Sequence, residues 1–320
     1  MLEPSQRQLD SDLEKSMAMF KRAAVGKTSA PTMKRPESIL LALDGSQQDE
    51  VGVGIAKLLR QRFNASILVL DARMASEHAP LPAPPSSARG EEIAGRVEGT
   101  LVVDEAQESF DRILHAIETH RPDMAIAPCP FGRDFNAIGA DSTGTVIDVL
   151  LARCPVPLLV TRAPFDVQDR SLAEIRIVVS GENNAAAEAA RWATGLATRG
   201  GSLELSLVVP EEYFAICREA LHAVHPEEEF SSESVENALA ASYARLHASL
   251  QHSGAAGHYR YTLNVHRTSE DVTFDHPTSE PPLLVLPLDR NAAMSQGQVH
   301  QRIRHSPHPV LVVATHAPPS

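Results

Sequence analysis

Aromatic residues make up only 4% of this 320-residue chain, and tryptophan occurs once. Any core must therefore be built from aliphatic side chains, and a hydrophobic content of 43% suffices for that. Cysteine is also scarce. Cys129, Cys154 and Cys217 are an odd number without metal-type spacing, and they fit a reducing, cytoplasmic setting. Basic charge is in deficit, with 29 Lys and Arg against 41 Asp and Glu and a net charge of -12. That balance argues against a nucleic-acid-binding surface, which needs clustered cations. It also disfavours attachment to anionic membranes. No apolar run has the length of a bilayer span, so no transmembrane segment is expected. The N-terminus lacks an apolar signal segment. Residues 1–36 instead form a polar arm with Leu9, Leu13, Met17 and Phe20 at helical spacing. The arm reads as a surface helix packed on the body, or alternatively as a partner-binding or membrane-surface arm.

What the chain does have is alternation. "SILLALDGS" reads as a strand from Ile39 to Leu43 that ends in an Asp-Gly-Ser turn. Val51, Ile55, Leu58 and Leu59 then recur at helical spacing. "ASILVLDA", "TLVVDE", "DMAIAP" and "PLLVTR" supply four more strands. A helix carrying Phe110, Ile113, Leu114 and Ile117 precedes the fourth strand. Near-continuous apolar strands predict a parallel sheet covered on both faces. Their alternation with helices predicts a doubly wound α/β fold. "HAPLPAPPSSARGEE" is rich in Pro, Ser and Ala, and is expected to be a loop rather than a helix.

The chain then begins again. "EIRIVVSGENN" matches "SILLALDGSQQ", with Ser180 in place of Asp44 and Gly181 in place of Gly45. The spacing from Asp44 to Ile67 equals that from Ser180 to Leu203. The far ends match too: "CPVPLLV" at 154–160 and "SPHPVLV" at 306–312. The second copy is longer, and the stretch "EEYFAICREALHAVHPEEEFSSES" accounts for much of the gain. A repeat of this length is a domain duplication rather than a solenoid. Residues 37–163 and 173–316 are the two expected domains, joined by the polar linker "APFDVQDRSLAE". In both closing phrases, proline blocks helix continuation and sets the chain extended before a last strand. The two phrases are expected to lie close together across a pseudo-twofold axis.

"SILLALDGS" resembles the opening strand of the universal stress protein family, and "GTVIDVLLARCPVPLLVTR" resembles its closing element. The likeness covers most of 37–163 and extends more weakly over 173–315. It implies two five-stranded parallel-sheet domains of the adenine nucleotide alpha hydrolase-like type, arranged as a pseudo-dimer. It also implies an adenine-nucleotide crevice at the carboxyl ends of the strands, and pairing through the last strand.

That crevice is where an open α/β sheet holds ligands. Asp44 follows the first strand directly. In the family the matching Asp contacts the adenine end of the nucleotide, while Asp-Gly-Ser is equally ordinary turn chemistry. After the fourth strand the chain reads "APCPFGRDFNAIGADSTGTV". Gly144 and Thr145 open a helix whose free N–H groups favour an anion. Ser142 or Thr143 is available to cap that helix instead. The family's pattern Gly-x2-Gly-x9-Gly-Ser/Thr requires glycine where this chain has Phe131 and Asp134. Gly132 and Gly139 are the glycines present, and Arg133 offers a compensating charge. The second copy keeps less: Ser180 stands where the first has Asp, and "PLDRNAAMSQGQ" is not a phosphate loop. The helix between its third and fourth strands is replaced by "TSEDVTFDHPTSEPP".

Other motifs carry little chemistry. "VGKTSA" lacks the upstream glycine and the preceding strand of a P-loop. Eleven of the fourteen histidines fall from His222 onward, without Cys or carboxylates to complete a metal set. No nucleophile elbow and no acid–base pair stands out. The sequence thus supports a cytoplasmic stress-response protein binding ATP or AMP through Asp44, Gly132, Arg133, Gly139, Ser142, Gly144 and Thr145. Its alternatives are a nucleotide-free scaffold that captures a protein partner and a slow ATPase. The expected assembly is intramolecular pairing of the two domains, with a homodimer beyond it.

Overall fold

The computed structural model describes residues 32–73, 86–132, 143–162, 165–168, 170–179, 185–224, 231–268, 282–291 and 293–315. The expected N-terminal arm up to residue 31 and the proline-rich part of "HAPLPAPPSSARGEE" lie outside them.

The first half runs β1 (Ser38–Leu43), α1 (Asp49–Phe63), β2 (Ser66–Asp71), α2 (Ser86–Val97), β3 (Thr100–Val102), α3 (Ser109–His120), β4 (Met124–Pro128), α4 (Thr145–Arg153) and β5 (Leu158–Thr161). The second runs β6 (Glu174–Val179), α5 (Ala186–Leu196), β7 (Ser202–Pro210), α6 (Glu211–Val224), α7 (Ser232–Ser242), α8 (Ala244–Gly257), β8 (Arg260–Thr268), β9 (Leu283–Leu288), α9 (Ala293–His305) and β10 (Val310–Ala314). Two expectations need correction. "SSARGEE" is the start of α2 rather than loop: Ile93, Ala94 and Val97 give it an apolar face that packs into the core. Val103 is not part of β3; it is exposed. Among the described residues, the extra length of the second half is helical, forming α6 and α7. The expected loss of a helix between β8 and β9 falls at 269–281, outside the described residues.

The strands form one ten-stranded sheet in the order β3-β2-β1-β4-β5-β10-β9-β6-β7-β8. The two five-stranded halves join through their last strands, as the resemblance implied, so the sheet is continuous. Every pairing is parallel except β5 with β10, which is antiparallel. The order 3-2-1-4-5 on one side reads 8-7-6-9-10 from the other edge. At the seam Val310 faces Val160, Leu311 faces Leu159 and Val312 faces Leu158. The sequence match pairs Leu159 with Leu311, so a twofold axis of the repeat passes between these two residues.

The repeated phrase has a local job. The Cys154 thiol donates to the carbonyl of Val156, and the Ser306 hydroxyl donates to that of His308. The carbonyl of the second proline accepts from the neighbouring strand in both copies, Pro157 from Ala125 and Pro309 from Leu284. Each phrase therefore ends a helix, turns the chain and starts the pairing of the last strand.

Alternate residues of each strand face two helical layers. Ile39, Leu41 and Ile67 pack with α1, α2, α5 and α8, while Leu40, Ala42 and Leu70 pack with α3, α4 and α9. Burial on both faces is what a parallel sheet requires.

The halves also grip each other outside the sheet. Arg162, after β5, donates to the Ile303 and Arg304 carbonyls at the end of α9. Arg290, after β9, donates to the Leu151 and Cys154 carbonyls at the end of α4. Guanidinium groups thus satisfy helix C-termini across the seam. The segments leading into β1 and β6 cross over as well. Lys34 N–H donates to Arg191 O at 3.0 Å, and the Lys34 ammonium lies 2.5 Å from Glu188 on α5. Val167 packs against Gly54 of α1, and Arg62 donates to Ser171 O at 2.8 Å. The expected polar linker is therefore a partly buried strap, with Leu172 in the core.

Gly195 makes this crossing possible, because a Cβ there would run into the Lys34 carbonyl. At Gly95 of α2 a Cβ meets nothing within 4 Å. Gly→Ala in a helix ordinarily adds about 0.5–1 kcal/mol. Gly95→Ala should follow that rule and raise the melting temperature. Gly195→Ala should lower it, by about 2 kcal/mol of stability, as the strap lifts. Parallel thermal melts of the two variants decide the matter; equal stabilisation would refute the tight crossing.

Candidate functional site

β1 ends at Leu43, and the chain turns sharply at Gly45, whose φ of 79° suits glycine. The turn is held by its own carboxylates. Asp49, at the start of α1, accepts the Asp44 N–H at 2.9 Å and the Gly45 N–H at 3.0 Å. Asp44 accepts the Ser46 N–H at 2.8 Å through one oxygen and the Gly132 N–H at 2.9 Å through the other. Asp44 is 6% exposed and Asp49 1%. The turn role read from Asp-Gly-Ser is thus present. So is a long-range one, because the Gly132 bond ties the carboxyl end of β1 to that of β4. Gly132 takes a φ of 69° and meets nothing within 4 Å of an added Cβ.

Burial first, and the Asp44 carboxylate second, push the Asp49 carboxyl up from 3.8 to about 7. Two buried carboxyls in contact near neutral pH mark a place where function is worth seeking.

Gln48 was not singled out from sequence. It is 4% exposed, donates to Pro130 O at 3.2 Å, and leaves its Oε1 without a partner. A buried acceptor without a donor invites a ligand or a water. The only sequence signal for it was proximity to Asp44, in "DGSQQD". Arg73, beyond β2, was also missed. It grips Asp71 with two nitrogens, its side chain covers Gly45, and its carbonyl accepts from Arg112 at 2.6 Å.

On the other side of β4, Gly144 precedes α4 with φ 79° and no side-chain cap. The Thr143 hydroxyl donates to Asp148 at 2.6 Å rather than to a cap position. Asp148 also meets His300 of α9 at 3.2 Å, linking this helix start to the other half. Among the described residues no side chain caps the α4 N-terminus. Of the predicted residues, the structure brings together Asp44 and Gly132, and places Gly144 and Thr145 on the adjoining helix start. Arg133, Gly139 and Ser142 lie outside the described residues, as do Ser180 and Gly181 of the second half.

Burial pushes the Cys129 and Cys154 thiols up to about 11, so both stay protonated at neutral pH. Among the described residues, no group of three or more His, Cys, Asp or Glu is placed to hold a metal. Among the described residues, no helix is long and apolar enough to cross a membrane.

The sequence matches no known protein-family profile. No curated protein matches it either. Solved structures do. A universal stress protein from Archaeoglobus fulgidus superposes with a TM-score of 0.57 at 16% identity, over 87% of this chain and 96% of that one. A Pseudomonas aeruginosa protein provisionally called a universal stress protein gives 0.51 at 14% identity, over 87% and 93%. A functionally unknown Pseudomonas aeruginosa protein gives 0.50 at 14% identity, over 87% and 92%. Identities this low speak to architecture alone. On that architecture they agree: this chain has the universal stress protein fold, a mixed α/β structure around a large, mostly parallel sheet.

Proposed function

We infer that the chain is a cytoplasmic stress-response regulator, a tandem universal stress protein, that binds an adenine nucleotide, ATP or AMP, in its first half. One observation carries this reading: the Gly132 N–H on the Asp44 carboxylate joins the ends of β1 and β4, beside a helix start that no side chain caps among the described residues. The carboxyl ends of the strands, where their order reverses between β1 and β4, are where open α/β sheets take nucleotides. The residues present fit the group. Gln48 offers an unpaired buried acceptor for an amino group, and Gly144 and Thr145 offer N–H groups for a phosphate. Asp44 and Gln48 would hold the base end. The recurrence of the strand order, and matches too long for one half alone, support a duplicated chain. The second half has Ser180 where the first has Asp44, and is read as the regulatory or partner-binding partner of the pair.

Calorimetry with ATP, ADP and AMP tests the reading. Binding in the micromolar to millimolar range is expected, weakened at least tenfold by Asp44→Ala. No heat at millimolar nucleotide would end it. A second reading rests on Arg73, whose side chain covers Gly45 while bound to Asp71. On that reading the crevice is closed and the chain is a nucleotide-free scaffold. Arg73→Ala should then create binding that the unaltered protein lacks.

A further inference from the structure

The sheet has two edges, and they are not alike. One is β3, only three residues long. The other is β8, nine residues from Arg260 to Thr268, with no proline. Proteins usually blunt such an edge, because its unpaired N–H and C=O groups template another strand. The direction of those groups is fixed. Arg260 N–H donates to Gly201 O at 3.0 Å, so Arg260 faces β7. By alternation Thr262, Asn264 and His266 also face β7, while the backbones of Tyr261, Leu263 and Val265 point away from the sheet. Among the described residues no strand lies beyond them.

The geometry points to β8 as an interface with a second copy of this chain, paired antiparallel about Asn264. Asn264 is the midpoint of the strand, so this register matches all nine positions. Leu263 then falls opposite Val265 of the other copy, and each of these residues exchanges its outward N–H and C=O. Their side chains are half-buried and apolar, and lie on one face beside α8. On the opposite face Thr262 meets His266, and Asn264 meets its own twin. Apolar thus meets apolar and polar meets polar, without opposed like charges among these pairs. A strand that complements itself about its centre satisfies the twofold rule for an isologous contact. The seam between β5 and β10 is already filled within the chain, so this contact uses a different strand.

Light scattering and cysteine cross-linking of the full chain test the proposal. The unaltered protein is expected at twice the chain mass at micromolar concentration. Leu263→Pro and Val265→Pro each remove an outward N–H without touching the ladder to β7, and edge strands accept proline. Both should run as monomers with unchanged circular dichroism. In a Cys217→Ser background, Asn264→Cys should form a disulfide-linked dimer on mild oxidation, since opposed Cα atoms in such a pair lie within disulfide reach. Arg260→Cys should not. A monomeric unaltered protein overturns the proposal, including one that co-purifies with a foreign peptide on β8. So does a dimer that survives both proline variants, or equal cross-linking from positions 260 and 264.

Discussion

Leu159→Asp should unfold the whole chain rather than part its halves. Leu159 is 2% exposed and Leu311, opposite it, is fully buried. Both sit in one apolar cluster that runs from β1 and β2 through the seam to β6, β7 and β9. A carboxylate there would be buried among aliphatic side chains, so its cost is beyond about 4 kcal/mol. Typical domains have only about 5–15 kcal/mol in total. The milder Leu159→Ala and Leu311→Ala leave a cavity and should each cost about 3 kcal/mol. Urea denaturation followed by circular dichroism should show one transition for each alanine variant, shifted to lower midpoint. Two separated transitions, with one half still folded, would show that the seam does not couple the halves.

Asp49→Asn should change how stability depends on pH. The Asp49 carboxyl is raised from 3.8 to about 7, chiefly by burial and then by Asp44. Between those values the folded chain holds a proton that the unfolded chain releases. Stability must then fall as pH rises from about 4 to about 7, and level off above. Across about pH 5 to 8 the loss from this group is about 2–3 kcal/mol. The asparagine variant carries no such proton. Its stability curve should be flatter over that window, and its relative standing should improve toward about pH 8. Denaturation midpoints at three pH values suffice; an unchanged slope would mean that another group holds the proton.

Much of this fold is visible in the sequence because it rests on local patterns. Aliphatic runs such as "SILLAL" and "LLVLPL" are buried on both faces, and their pattern says so before any partner is known. The closing phrases are visible for the same reason, since proline acts on its own neighbours. The joining of β5 to β10 was expected from the resemblance, but its register was not visible, because it depends on how two distant segments meet. The helix at "SSARGEE" was hidden because a proline-rich stretch precedes it and its apolar face comes later, at Ile93 and Val97. In the site, Asp44 was readable from its place after a strand. Gln48 and Arg73 were not, because their importance comes from Pro130 and Gly45, which the fold brings to them.

The crossed straps and arginines bear on how the chain is made. Synthesis delivers the first half with β5 paired to β4 but its outer edge open, and the α9 carbonyls that Arg162 reaches are not yet made. The acceptors on α5 and α9 do not yet exist when Lys34 and Arg162 leave the ribosome. At ordinary rates the remaining half takes roughly 10–30 s to emerge. Throughout that interval the nascent chain shows an apolar strand edge, the kind that sticks to its neighbours on a crowded polysome. The seam that makes the finished molecule one piece is thus closed only when the last strand, β10, is made.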